Sequence, residues 1–243
     1  MWSRSELKSH AKEVLKANYW RAVLVSLILM FIGGSAGSGA SGASSSSNRS
    51  SVSSLKDALS SFDPSVIAAA VSIFIAIFLT IFLISLALQI LVFNPLIVGC
   101  QRFFVKCRSE QPTVGEVAFA FKTSYKNVIK TIFLMDLFTA LWTLLFIIPG
   151  IVKSYEYRMI PYILAENPEL NYKEAFARSK AMMNGEKWHA FVLDLSFIGW
   201  ELLGALTCCI LNVFYVNPYY YLTCSELYAT LKQKVEPPTQ DIA

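Results

Sequence analysis

The chain has 243 residues, of which 55% are hydrophobic and only 16% charged, with a net charge of +4 and a mean hydropathy of +0.49. Soluble domains carry about 25% charged residues, and a single soluble core of this size needs a more polar shell. The composition therefore excludes a soluble globule, a disordered chain and a disulfide-knit scaffold, and it supplies enough apolar sequence for roughly six spans of about 20 residues.

In chain order, Arg4, Lys8, Lys12 and Lys16 precede the first apolar run, residues 20–34. The preceding segment is long, helix-patterned and includes Glu6 and Glu13, unlike the short basic region of a signal peptide, so the run is read as a retained span. Residues 35–61 form a Ser/Gly-rich stretch too poor in apolar surface to order itself, expected as a flexible extracytoplasmic loop. Asp63-Pro64 supplies an N-cap and a first helical residue for a second span over 66–93.

A third span is predicted over 128–148, stopping at Pro149-Gly150, and a fourth over 151–165. The fourth is only fifteen residues long and carries Lys153, Glu156 and Arg158. Residues 188–206 and 211–231 make the fifth and sixth, the last interrupted by Asn217-Pro218. Residues 232–243 are left as a cytoplasmic tail. With six spans, seventeen Lys and Arg fall on one side and three on the other, an asymmetry that places both termini in the cytoplasm. The expected fold is an all-α polytopic transmembrane helical bundle of about six spans in three hairpins, each preceded by a cytoplasmic amphipathic helix.

That last feature rests on an internal repeat. An offset of 168 sets Glu6 on Glu174, Lys12 on Lys180 and Trp20 on Trp188, and an offset of 110 sets Glu116 on Glu6 and Lys122 on Lys12. Ser3, Thr113 and Asn171 stand three positions before each Glu, the spacing of a capping box. In the third copy, Tyr172, Ala175, Phe176, Ser179, Met182 and Met183 share one helical face. Lys173, Arg178 and Lys180 lie largely elsewhere, as candidate contacts to anionic lipid at the inner membrane surface. The alternative is that this helix packs on the bundle as a cap.

The run Pro149-Gly150-Ile151-Val152-Lys153 and the run from Tyr157-Arg158-Met159-Ile160-Pro161 to Glu166-Asn167-Pro168 carry a resemblance. So do Ala175-Phe176, Gly185, Lys187-Trp188 and the run from Asp194 to Trp200. The chain resembles the bacterial integral-membrane family known as domain of unknown function 975, which is similar in layout to the membrane domain of some glycerophosphodiester phosphodiesterases. The resemblance implies a multi-span protein of the bacterial plasma membrane and carries no catalytic residues with it.

Ionisable side chains at membrane depth are functional candidates, because an unpaired charge there is expensive. Counting about 1.5 Å per residue from Pro149 puts Asp136, Glu156 and Arg158 inside the bilayer. Asp194 and Glu201, seven residues apart, fall on nearly one face of the fifth span. An Arg158 pair with Asp136 or Glu201 is geometrically open. Two readings compete: charges that lock the short fourth helix in place, or a polar site for an ion, a proton or a lipid headgroup. Tyr219, Tyr220 and Tyr221 fall at mid-span, where hydroxyls bonded to a neighbouring helix or lining a cavity both fit.

Enzyme signatures are not found. His10 and His189 are the only histidines and neither lies in a metalloprotease motif or beside a nucleophile. The five cysteines form no CxxC pair. The expectation is a non-enzymatic protein with no metal or other cofactor and no nucleic-acid partner. Its expected partners are the bilayer, with anionic lipids at its inner face, and other membrane proteins. Its expected role is transport of an ion, small solute or lipid, or alternatively a structural or regulatory one.

Overall fold

The computed structural model describes residues 2–37, 63–207 and 209–236. Most of the expected 35–61 loop and residues 237–243 of the tail lie outside the described residues. Every regular element described is helical. They run α1 (Arg4–Gly37), α2 (Pro64–Leu88), α3 (Asn94–Lys106), α4 (Phe119–Lys122), α5 (Tyr125–Leu145), α6 (Ile147–Tyr157), α7 (Ile160–Glu166), α8 (Tyr172–Met182), α9 (Lys187–Leu206) and α10 (Asn217–Val235). Among the described residues, four helical stretches are long and apolar enough to cross a membrane: Arg4–Ile32, Val71–Lys106, Tyr125–Leu145 and Lys187–Leu206.

The first amphipathic segment and the first span form one helix, bent where Asn18 leaves helical geometry at φ −124° and ψ 24°. The Ser3 hydroxyl accepts from the Glu6 amide at 3.2 Å, and the Glu6 carboxylate reaches back to the same hydroxyl, so a side-chain cap opens α1. The other two boxes differ. Asn171 caps the Lys173 amide, which frees Glu174 to bind Arg178. Thr113 makes no side-chain cap and is followed by a 3₁₀ turn over Val114–Ala118.

Two helix breaks share one construction. Gln89–Phe93 and Asn212–Val216 are π-helical turns, each running into Asn-Pro at the start of the next helix. Proline has no amide hydrogen, and its ring pushes away the carbonyl four residues back; a π turn absorbs the extra residue. The displaced carbonyls are those of Leu91 and Phe214. Tyr125 donates its hydroxyl to the Leu91 carbonyl at 2.7 Å and Tyr19 does the same for Phe214 at 3.1 Å. Each tyrosine begins the apolar stretch that follows an amphipathic segment, so a neighbouring helix supplies a donor to the carbonyl freed at both breaks.

The stretch expected as a fourth span, 151–165, is not one helix. α6 ends at Tyr157, and α7 starts at Ile160 with Pro161 in its first turn. The turn before it also sits earlier than expected. The backbone extends at Phe146 (φ −153°, ψ 132°), and Pro149 falls inside the first turn of α6, where a missing amide hydrogen leaves no bond unmade. Gly150 serves another purpose: a Cβ there would meet the Thr143 Cα at 2.6 Å. The backbones of α5 and α6 thus approach closely near the tip of their hairpin.

The main buried cluster joins the N-terminal part of α1 to α3, α9 and α10 through side chains such as Leu7, Phe103, Phe104, Phe197, Leu227 and Tyr228. A second, around Val98, Val128, Ile132, Ile160 and Leu164, joins α3, α5 and α7. α2 is the opposite case, since Phe74, Phe78, Ile81 and Leu83 are all more than half exposed. A helix apolar all round and left uncovered by the other described residues is suited to face lipid.

Candidate functional site

The break between α6 and α7 carries Arg158. Its two Nη atoms donate to both carboxylate oxygens of Asp194 on α9, at 2.8 and 2.9 Å. Nη2 also reaches the Tyr220 hydroxyl at 2.9 Å and the Cys224 sulfur at 3.2 Å, both on one face of α10. The Tyr155 and Tyr220 hydroxyls in turn donate to Asp194. A paired guanidinium and carboxylate with polar neighbours on every side is the arrangement that makes an interior charge tolerable.

The five candidate ionisable residues separate into four environments. Arg158 pairs with Asp194, seven residues from Glu201 on the same helix. Glu156 is 4% exposed and lies between Lys153 at 2.8 Å and Lys187 at 2.7 Å, while the backbone carbonyl of Glu156 accepts from Ser179 on α8. Asp136 receives the Asn94 side-chain amide at 3.3 Å. Glu201 is exposed on α9, and among the described residues no ion pair reaches it. The sequence puts Tyr220 at mid-span without assigning its hydroxyl a partner; Asn94, Tyr155, Cys224 and Lys187 carry no signal that ties them to these charges.

A groove of about 720 Å³ opens between α5 and α6, and Asp136 and Arg158 both line it. Met135, Ala140 and Leu144 give it an apolar wall, with Tyr157 and Pro161 opposite. Leu144 is 86% exposed, so the groove borders an exposed apolar surface.

On α8 the buried residues are Ala175, Ser179 and Met182, and Phe176 packs on Tyr157 and Phe138. This apolar face is turned onto the bundle. Lys173 and Lys180 are exposed, and Arg178 is engaged by Glu174 and Glu236 at 2.9 and 3.0 Å. Further ion pairs clamp the same end of the molecule: Glu166 with Lys232 and Tyr228, and Glu186 with Lys234 and the Trp2 indole.

Two carboxyls, Glu116 and Glu186, are held below their ordinary range. Burial alone raises the Glu116 carboxyl, but hydrogen bonds from Lys106 and Arg102 outweigh it, and the group ends below the ordinary value of 4.5. Glu186 is lowered in the same way, burial being outweighed by Lys234 and Trp2. A carboxyl lowered by folding adds stability that is complete above its unfolded value and lost as pH falls through the folded one. Melting in detergent, followed by circular dichroism, should therefore weaken between about pH 5 and pH 3. The Glu116→Gln/Glu186→Gln double variant should show a shallower acid limb, and an unchanged limb would remove these carboxylates as its cause.

Among the described residues, no three His, Cys, Asp or Glu side chains are grouped to hold a metal ion. A family model described as "Protein of unknown function (DUF975)" matches residues 45–235. No curated protein and no solved structure matches the chain.

Proposed function

Because the chain belongs to the family of proteins of unknown function DUF975, which assigns no activity, we propose from its geometry that it is a non-enzymatic, multi-pass protein of the bacterial plasma membrane that moves a small amphiphilic solute or lipid. The observation that carries this reading is the α5–α6 groove, which brings two ionisable side chains, Asp136 and Arg158, to an exposed apolar surface.

In this reading six segments cross the membrane as three hairpins, with both termini cytoplasmic. Three contacts that close a ring support it. Tyr125, opening the second hairpin, bonds the break in the first at Leu91; Lys187, opening the third, pairs with Glu156 at the break in the second; and Tyr19, opening the first, bonds the break in the third at Phe214. Proline stands in the first turn of each helix beyond a break, at Pro95, Pro161 and Pro218. Each break is a point where the helical ladder is already interrupted, so the chain can bend there without breaking a further backbone bond.

Reconstitution of the full chain in liposomes tests the proposal. Fluorescent phospholipid analogues and small solutes should cross at a protein-dependent rate, and Ala140→Trp, which fills the groove, should slow that rate at least about fivefold. Movement no faster than in protein-free vesicles would refute it. A second reading, a regulatory membrane protein that engages anionic lipid or a partner protein at the inner face, is favoured by the exposure of Lys173 and Lys180 beside the already paired Arg178.

A further inference from the structure

The charges lining the α5–α6 groove are not balanced. Asp136 lies near the middle of the 21-residue α5, about 17 Å from its start and about 14 Å from its end, on an exposed face of the helix. A lone carboxylate at that depth is costly unless something neutralises it. Its hydrogen-bond donor is the neutral Asn94 amide at 3.3 Å, and among the described residues no Lys or Arg nitrogen comes within ion-pair distance. The nearby cations are engaged elsewhere. Arg158 lines the groove but gives both Nη atoms to Asp194, and Lys153 pairs with Glu156 at 2.8 Å.

The threonine and serine hydroxyls in the groove make no comparable demand. Thr139 donates to the Met135 carbonyl, Thr143 to Thr139 and Ser154 to Ile151, so each is satisfied within its own helix. What remains is one acidic point in a trough with apolar walls. Its volume of about 720 Å³ is within the range that suits a small organic ligand.

We propose that this groove binds a single-chain amphiphile carrying a protonated amine, with the ammonium on Asp136 and the chain along Ala140 and Leu144. The proposal rests on the reading of the groove as the working site and names its ligand class. An anionic headgroup fits poorly, because the one guanidinium present already has its carboxylate and Asp136 would repel the ligand. A small hydrophilic cation lacks the chain that the apolar walls would cover.

The test is equilibrium binding of dodecylammonium to the full chain in phosphatidylcholine nanodiscs, corrected with empty discs. Saturable binding is expected, weakened at least tenfold in Asp136→Asn and lost in Ala140→Trp, with melting curves showing that both variants are folded. Dodecanoate should show no saturable binding, and methylammonium should not displace the bound amine. Equal affinity in Asp136→Asn, preference for dodecanoate, displacement by methylammonium, or no binding above empty discs would each overturn the assignment. Binding with no flux in liposomes would refute transport and leave the ligand assignment standing. Flux without amine selectivity would do the reverse.

Discussion

Arg158→Ala should destabilise the protein by about 3 kcal/mol, the low end of the range for breaking a buried ion pair by removing one partner, because the Arg158 and Asp194 side chains are partly buried. Arg158 joins three helices through Asp194, Tyr220 and Cys224, and it stands where the chain passes from α6 to α7, so no continuous helix holds this region together without it. Truncation leaves the Asp194 carboxylate with only the two tyrosine hydroxyls. Arg158→Lys should recover only part of the loss, since an ammonium cannot span both carboxylate oxygens in the same fork geometry. Arg158→Met combined with Asp194→Leu should recover most of it, because apolar replacement of a whole buried pair is often neutral or better. The site supplies its own probe. Cys224 is buried and touches the guanidinium, so in a background lacking the other four cysteines its alkylation rate reports opening of this region. Arg158→Ala should accelerate that reaction by at least tenfold and lower the melting temperature. Wild-type protection in the variant would show that the pair does not hold the helices together.

Much of the frame was readable from residue pattern alone. The apolar runs near residues 20, 66, 128 and 188 correspond to the four helices able to cross a membrane. Both Asn-Pro pairs mark real breaks, because a missing amide hydrogen and a ring clash act on any helix irrespective of its neighbours. The partners of the charges were less readable. Depth was counted along a straight fourth helix starting at Pro149-Gly150, whereas the chain turns at Phe146 and the helix is broken after Tyr157. A shift of three residues is about 4.5 Å along the axis and most of a helical turn, enough to change which neighbour a side chain meets.

The repeat shows the same division between local and tertiary control. Glu6, Glu116 and Glu174 occupy matching positions, but only Glu6 turns its carboxylate back to its capping residue, and there it meets the Ser3 hydroxyl. Glu116 binds Arg102 and Lys106, and Glu174 binds Arg178. Capping boxes contribute modestly, so a nearby Arg or Lys can divert the carboxylate. Tyr19 and Tyr125 were equally hard to read. Each acts on a carbonyl of a helix distant in sequence, and the need arises only once a proline elsewhere has exposed that carbonyl.

Gly99→Ala should have the second large effect, although it adds a single methyl group. A Cβ at Gly99 would lie 1.9 Å from the Val117 carbonyl oxygen, 2.6 Å from its carbonyl carbon and 3.0 Å from its Cα. The obstacle is backbone, so no side-chain rotation relieves it. That backbone is also fixed on both sides. Arg102 and Lys106 of α3 grip Glu116 at 2.9 Å, and Val117 and Ala120 are buried against the bundle. Moving α3 away from the 3₁₀ turn would lengthen those ion pairs and loosen the packing of Val98 on Val128 and Ile132. Overpacking typically costs about 1–3 kcal/mol, and a clash against anchored backbone belongs at the upper end. Gly199→Ala is the matched control: it also lies within a helix, has nothing within 4 Å of its added Cβ, and should gain up to about 1 kcal/mol from the lower entropy of the unfolded chain. The two variants should therefore move in opposite directions in a thermal melt. Gly99→Ala should also lose much of the acid sensitivity that depends on Glu116, because the displaced turn can no longer meet both cations. If the two substitutions melt within a degree of each other, α3 and the 3₁₀ turn are not in the close contact on which this argument depends.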